Sequence, residues 1–144
     1  MIRMNVSVDL KGARRYAENL EQLGQIVSAT AANIEGEAKQ SILTRSSQGN
    51  EYFHAGGKVH WSAAKGNPPN SDTGNLANSI KHKMTGPTSA EVNVGAEYAI
   101  PLELGWISAN GKHQGPFPFM VPAVRRHENA FVAAVKSVMR GKRA

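Results

Sequence analysis

The chain has 144 residues, of which 40% are hydrophobic and 19% charged, and it contains no cysteine. This length predicts one domain, residues 1–144, with a core of its own, and the missing cysteine excludes disulfides, thiol catalysis and cysteine-ligated zinc. No apolar run approaches the ~18 residues of a membrane span, and residues 1–9 lack the continuous apolar segment of a signal peptide. We therefore expect no membrane partner and no signal peptide.

The net charge of +6 lies almost entirely at the C-terminal end of the sequence. Residues 125–144 contain six Lys or Arg and one acid, Glu128, whereas residues 1–124 contain eleven basic and ten acidic side chains. A local positive charge of this kind attracts phosphates or an acidic protein surface.

Residues 2–8 alternate between apolar and polar side chains, which predicts a short half-buried strand. A helix is predicted next, from about Leu10 to Thr44, with a length on the order of 50 Å. Its apolar residues recur every three or four positions: Ala13, Tyr16, Leu20, Leu23, Val27, Ala31, Ile34, Ala38 and Ile42. This stripe suits packing in the protein's own core or against a neighbouring subunit.

Residues 45–72 show no helical stripe, and we expect them to form an extended arm. Within it, residues 52–61 are typical of two short strands around a two-residue turn at Gly56-Gly57. The hairpin carries apolar and aromatic side chains, namely Tyr52, Phe53, Val59 and Trp61. A lone hairpin is marginally stable in water, so this one should lie on its own domain or dock on another subunit. Pro68-Pro69 then stiffens the chain into an extended segment.

The second half of the sequence predicts a short helical turn, two strands and a final helix. Residues 73–79 form the turn, and residues 80–84 and 90–94 alternate as strands joined at Gly86-Pro87-Thr88. Lys81 and Lys83 then share a face with Glu91 and Asn93, which allows cross-strand charge pairing. Residues 95–105 are predicted as a third extended or irregular element, and residues 106–118 as a loop rich in Gly, Pro and Asn.

The final helix is predicted from about Pro122 to Arg140, with Val124, Phe131, Val135 and Val138 as its buried stripe. Arg125, Lys136 and Arg140 project on the far side, within about 60° of one another. They form either a solvated face or a contact for phosphates or an acidic partner. Residues 141–144 are expected to be a flexible basic tail. The predicted class is α+β: a small, mostly antiparallel sheet packed on a long N-terminal and a C-terminal helix, with a projecting arm.

No known catalytic motif is complete in this sequence. His127-Glu128 starts a zinc-protease motif, but Phe131 occupies the position of the second histidine. The glycines around Gly111 resemble a phosphate-binding loop with one residue too many and His113 in place of Ser or Thr. Glu97 and Glu103 alone do not make a glycosidase site. We therefore expect that the protein is not an enzyme and binds no cofactor or metal. If it were a hydrolase, its activity should depend on His60 or Glu103.

Three segments together resemble one protein family. Residues 68–80, PPNSDTGNLANSI, are similar to a "PP…TG.L..SI" segment, and Val92–Gly95, Tyr98-Ala99 and Leu102–Gly105 to "V.VG…YA..(V/L)E.G". Residues 116–123, PFPFMVPA, resemble a "PF..PA" entry to the last helix. These motifs, in this order after a long helix, resemble the tail-completion or head–tail joining family of tailed phages. Trp106 stands where that family commonly has threonine, and the loop at residues 107–115 is somewhat longer.

The resemblance implies a structural virion protein of the phage neck, assembled in the host cytoplasm into a ring that is expected to be hexameric. The ring would complete the tail tube or join it to the head connector, so its partners would be copies of itself, the tail-tube protein and a connector or stopper protein. The candidate subunit contacts are Tyr52, Phe53, Val59, Trp61, Pro68, Pro69, Trp106 and Phe117. The candidate contacts to phosphate or an acidic partner are Arg125, Arg126, Lys136 and Arg140. In a ring, this basic face would also permit non-specific contact with DNA in the channel. The alternative is a small, non-enzymatic nucleic-acid-binding protein that uses the basic C-terminal helix.

Overall fold

A computed structural model describes residues 2–7, 19–44, 51–53, 59–61, 66, 68–69 and 74–141, with the backbone alone for the strands at 2–7, 51–53 and 59–61. The elements in chain order are β1 (Ile2–Ser7), α1 (Leu20–Leu43), β2 (Glu51–Phe53), β3 (Val59–Trp61), α2 (Asn75–Asn78), β4 (Ile80–Gly86), β5 (Ser89–Val94), α3 (Ala99–Leu104), β6 (Trp106–Ile107), β7 (His113–Gln114) and α4 (Met120–Met139). This combination confirms the predicted α+β class.

Helix α1 follows the predicted apolar stripe. Its buried residues are Leu23, Val27, Ala31, Ile34, Ala38 and Ile42. They recur every three or four positions and therefore share one side of the helix. The predicted helical residues 10–18 lie outside the described residues, so the expected 50 Å length stays a prediction.

The sheet that α1 covers has three antiparallel strands in the order β1-β5-β4. Strand β5 lies in the centre and alternates as predicted, with Ala90, Val92 and Val94 buried. Its polar side chains lie on the other face, where Lys83 is paired with Glu91 in register and its Nζ lies 4.0 Å from the Glu91 carboxylate. The turn between β4 and β5 falls at the predicted Pro87-Thr88.

Helix α4 packs along α1 and completes the core. Met120, Ala123 and Val138 are buried, and Val124 and Phe131 pack half-buried against the same core. The inward face of α4 therefore includes the predicted Val124, Phe131 and Val138, whereas Val135 is only half-buried, and the helix starts two residues before the expected position. None of the described helices combines the length and the hydropathy that crossing a membrane requires.

Two predictions for the second half of the chain are wrong. Residues 99–104 form helix α3 rather than an extended element. Pro101 is compatible with this because it occupies the first turn, where a helix amide has no intrahelical partner. The expected loop at 106–118 contains the short antiparallel pair of β6 and β7, with Trp106 opposite Gln114.

The hairpin at 51–61 exists, but its register differs from the prediction. Phe53 pairs with Val59 and Tyr52 with His60, which centres the connection on Gly56. A two-residue turn at Gly56-Gly57 would instead pair Phe53 with His60; the turn itself lies outside the described residues. The projection of the arm stays a prediction, and near its end the Gly66 amide donates a hydrogen bond to the Pro116 carbonyl at 2.8 Å.

Candidate interaction surface

Helix α3 inverts the usual distribution of polar and apolar residues. Its one charged side chain, Glu103, is buried. Its outward positions are apolar: Ile100 is 44% exposed and Leu104 73%, and Pro101 is also exposed. A surface helix normally presents polar residues to water and apolar residues to the core.

Glu103 is buried because it caps α4. One carboxylate oxygen accepts hydrogen bonds from the amides of Phe119 (2.9 Å) and Met120 (3.1 Å), and the other accepts from Val121 (2.9 Å). These amides belong to the first turn of α4, which has no side-chain cap of its own. A negative charge is also favoured there by the helix dipole. Glu103 therefore attaches α3 rigidly to the start of α4.

The apolar surface continues from α3 into strand β6. Trp106 is 38% and Ile107 63% exposed, and the Trp106 ring lies 5.9 Å from the ring of Phe117, which is half-buried. Trp106 separates two shallow grooves. One, of about 440 Å³, is lined by Tyr98, Pro101, Leu102 and Trp106; the other, of about 310 Å³, runs between β6 and β7. We call the set Tyr98, Ile100, Pro101, Leu104, Trp106 and Ile107 the α3 surface.

The predicted basic face of α4 is present, but its four cations are not equivalent. Arg125, Lys136 and Arg140 are exposed, and within the described residues none has a carboxylate within 4.0 Å. Arg126 instead forms an ion pair with Glu37 of α1. Arg126 therefore also connects α4 to α1, and its predicted contact with phosphate or an acidic partner stays a prediction.

The predicted interface residues separate into three groups. Trp106 and Phe117 lie together on or beside the α3 surface. Pro69 is buried, and Pro68 is half-buried in a polar groove lined also by Glu37 and Arg126. Pro69 therefore offers no surface to a partner, and that assignment is wrong. The side chains of Tyr52, Phe53, Val59 and Trp61 lie outside the described residues, so their roles stay predictions.

A polar contact that the sequence did not reveal lies at the edge of the sheet. Strand β4 is an edge strand, and Glu35 of α1 accepts a hydrogen bond from the His82 backbone amide at 2.8 Å. Glu35 also contacts the His82 ring and accepts a bond from Lys39 at 2.6 Å. Burial alone would raise the pKa of Glu35, but the hydrogen bonds from Lys39 and His82 outweigh it and hold the pKa below its ordinary value. Glu35 thus occupies part of an edge that another strand could otherwise pair with.

Among the described residues, no group of three or more His, Asp or Glu side chains is placed to hold a metal. Both oxygens of Glu103 accept hydrogen bonds from backbone amides. No family model, curated protein or solved structure matches this chain. The described site is therefore a protein surface with an apolar part and a basic part.

The sequence contains an indication of the α3 surface, namely a short apolar run that hydrophobic periodicity did not identify. Residues 98–107 read YAIPLELGWI, in which Glu103 is the only charged side chain. An apolar run this short can be a buried strand or a buried helix. In the described structure this run is neither, because six of its ten residues are exposed.

Proposed function

We propose that this chain is a structural protein of the neck of a tailed phage, where copies of it form a ring, expected to be hexameric, that completes the tail tube or joins it to the head connector. The α3 surface carries the proposal. The outward side of α3 is an exposed apolar patch, and such patches on a folded protein mark contacts with other molecules. In the isolated chain the core covers one side, and in a ring a neighbouring subunit would cover the other.

The geometry supports assembly in two further respects. The α3 surface is held rigidly, since Glu103 anchors α3 to α4 and the Phe117 amide donates to the Leu102 carbonyl at 2.7 Å. A preorganised surface loses little conformational freedom on binding. Rings also require heterologous interfaces, in which one patch meets a different patch of the next subunit, and the α3 surface supplies one such patch.

The residues that carry the family resemblance coincide with this architecture. Leu102–Gly105 of the "(V/L)E.G" segment contains the capping Glu103, and residues 116–123 form the start of α4 that Glu103 caps. Gly105 has a φ of +85°, and a Cβ there would lie 3.0 Å from the Gln114 carbonyl oxygen. The two segments are therefore physically linked, which explains why they would occur together in one protein family.

The test is cryo-electron microscopy of phage particles produced from the genome that encodes this chain. The proposal expects a ring of this fold at the head–tail junction, with the α3 surface covered by a neighbouring subunit. Absence of the chain from the particles would overturn the proposed function. A ring in which the α3 surface faces solvent would support the proposed position at the head–tail junction. It would contradict the role of the α3 surface as a contact between subunits.

A further inference from the structure

The outward side of α4 carries three cations that the fold leaves unused. Arg125, Lys136 and Arg140 lie within about 60° of one another around the helix axis and extend over about 22 Å along it. All three are exposed. We call these three residues the basic ridge.

The ridge is a rigid platform. Opposite it, Ala123 and Val138 are fully buried and Phe131 packs half-buried on the core. The helix is further fixed at its start by Glu103 and beside the ridge by the Arg126–Glu37 pair. A ligand that binds the ridge therefore has only side chains, not backbone, to order.

Charge distinguishes the ridge from the α3 surface. Glu128, the only acid of α4, makes no ion pair with Arg125 within 4.0 Å among the described residues. The sequence adds Lys142 and Arg143 immediately after the helix. The ridge is thus the start of a longer positive segment with no compensating acid beyond Glu128.

We propose that the basic ridge binds the phosphate backbone of duplex DNA without reading its sequence, as a property of the single chain that does not depend on ring formation. Over 22 Å a duplex offers about 13 phosphates, one per ~1.7 Å of axis, so the three cations find partners in many registers. An acidic protein would have to place three carboxylates at matching positions.

The structure provides a matched pair of variants, because Arg125 and Arg126 are neighbours of identical chemistry. The Arg125 guanidinium has no carboxylate within 4.0 Å among the described residues, whereas that of Arg126 is paired with Glu37. Replacing Arg125 with glutamine should therefore lower the number of counterions released per bound complex by one. The same change at Arg126 should lower that number by much less.

The experiment measures binding of a random-sequence duplex of about 24 base pairs by fluorescence anisotropy between about 25 and 200 mM NaCl. For the full chain we expect log K to fall against log salt concentration with a slope of about −2.7 or steeper. Arg125→Gln, Lys136→Gln and Arg140→Gln should each make the slope shallower by about 0.9. Arg126→Gln should change the slope by less than about half that amount, with circular dichroism verifying that each variant is folded.

Three results would overturn the proposal. The first is no binding at the lowest salt concentration. The second is an equal loss of slope for Arg125→Gln and Arg126→Gln, which would indicate diffuse attraction rather than the ridge. The third is tighter binding of poly-L-glutamate than of DNA, which would assign the ridge to an acidic protein.

Discussion

At the scale of single residues, Glu103 shows how a carboxylate that looks catalytic in the sequence has a structural role. Three amides of the first turn of α4 share its two oxygens. Buried amides without an acceptor destabilise a fold more than an average lost hydrogen bond. No sequence pattern showed this contact, because it joins residues 16 to 18 positions apart.

Glu103→Ala should lower the free energy of unfolding by about 2–4 kcal/mol, because three amides lose a charged acceptor. Glu103→Gln keeps one acceptor oxygen and should lose about half as much. Urea unfolding followed by circular dichroism measures both. Equal losses for the two variants would show that packing, rather than capping, explains the burial of Glu103.

Two glycines of α1 have opposite roles, although both weaken an isolated helix. At Gly24 a Cβ would lie 2.4 Å from the Pro87 carbonyl oxygen, so the β4–β5 turn approaches the helix backbone closely. At Gly36 a Cβ meets nothing within 4 Å. The close approach of Pro87 to Gly24 is visible only in the tertiary structure.

Gly36→Ala should raise the free energy of unfolding by about 0.5–1 kcal/mol, since alanine loses less backbone entropy and meets no obstacle. Gly24→Ala should lower it by about 1–3 kcal/mol, because the turn must move away. The same denaturation experiment compares them, and a stabilising Gly24→Ala would contradict the close packing of turn on helix.

At the scale of elements, strands β1, β4 and β5 and the long helices were predictable, whereas α3, β6 and β7 were not. Stripes with a period of three or four predicted α1 and α4, and strict alternation predicted β4 and β5. In α3 the apolar residues stand on both sides, so no period identified it as a helix. The β6–β7 pair has only two residues in each strand, too few for alternation to be recognised.

The contact of α1 with the edge strand β4 should make stability depend on pH. The folded-state pKa of Glu35 lies below its ordinary value of 4.5, so its ionised form stabilises the fold. That contribution is fully present above about pH 4.5 and is lost as the pH falls through the folded-state pKa.

Glu35→Gln should therefore lower the free energy of unfolding by about 1 kcal/mol near pH 7 and make little difference near pH 3. Urea denaturation at several pH values measures this difference. Glu97→Gln is the control, because Glu97 is exposed on the turn before α3 and its removal should change stability little at any pH. A Glu35→Gln difference that persists unchanged at low pH would contradict the contribution of the charge.

At the scale of the whole molecule, the fold class follows from the sequence, whereas the surfaces do not. Burial of Pro69 and the pairing of Arg126 with Glu37 each depend on which elements meet. The charge of α4 was visible from composition, but its division into free and paired cations was not. The α3 surface could be recognised only once Glu103 was known to point inward.

Leu104 and Leu43 provide a matched test of the α3 surface. Each is the last residue of its helix, and they are 73% and 58% exposed. Leu104→Lys should weaken self-association at least about tenfold, because it places a charge in the apolar patch, whereas Leu43→Lys should change it less than about twofold. Sedimentation velocity over a concentration series measures both, and equal effects would contradict a specific role of α3 in assembly.

The pairing of β1 with β5 has a consequence for synthesis of the chain on the ribosome. Residues 2–7 leave the exit tunnel well before residues 89–94, with which they form backbone hydrogen bonds. Strand β4, by contrast, meets β5 through a two-residue turn as soon as both have emerged. During synthesis, strand β1 and the apolar stripe of α1 therefore remain without their partners in the sheet until residues 89–94 have been made. Premature termination before residue 94 would leave both without a partner, and such fragments would be substrates for chaperones and proteases.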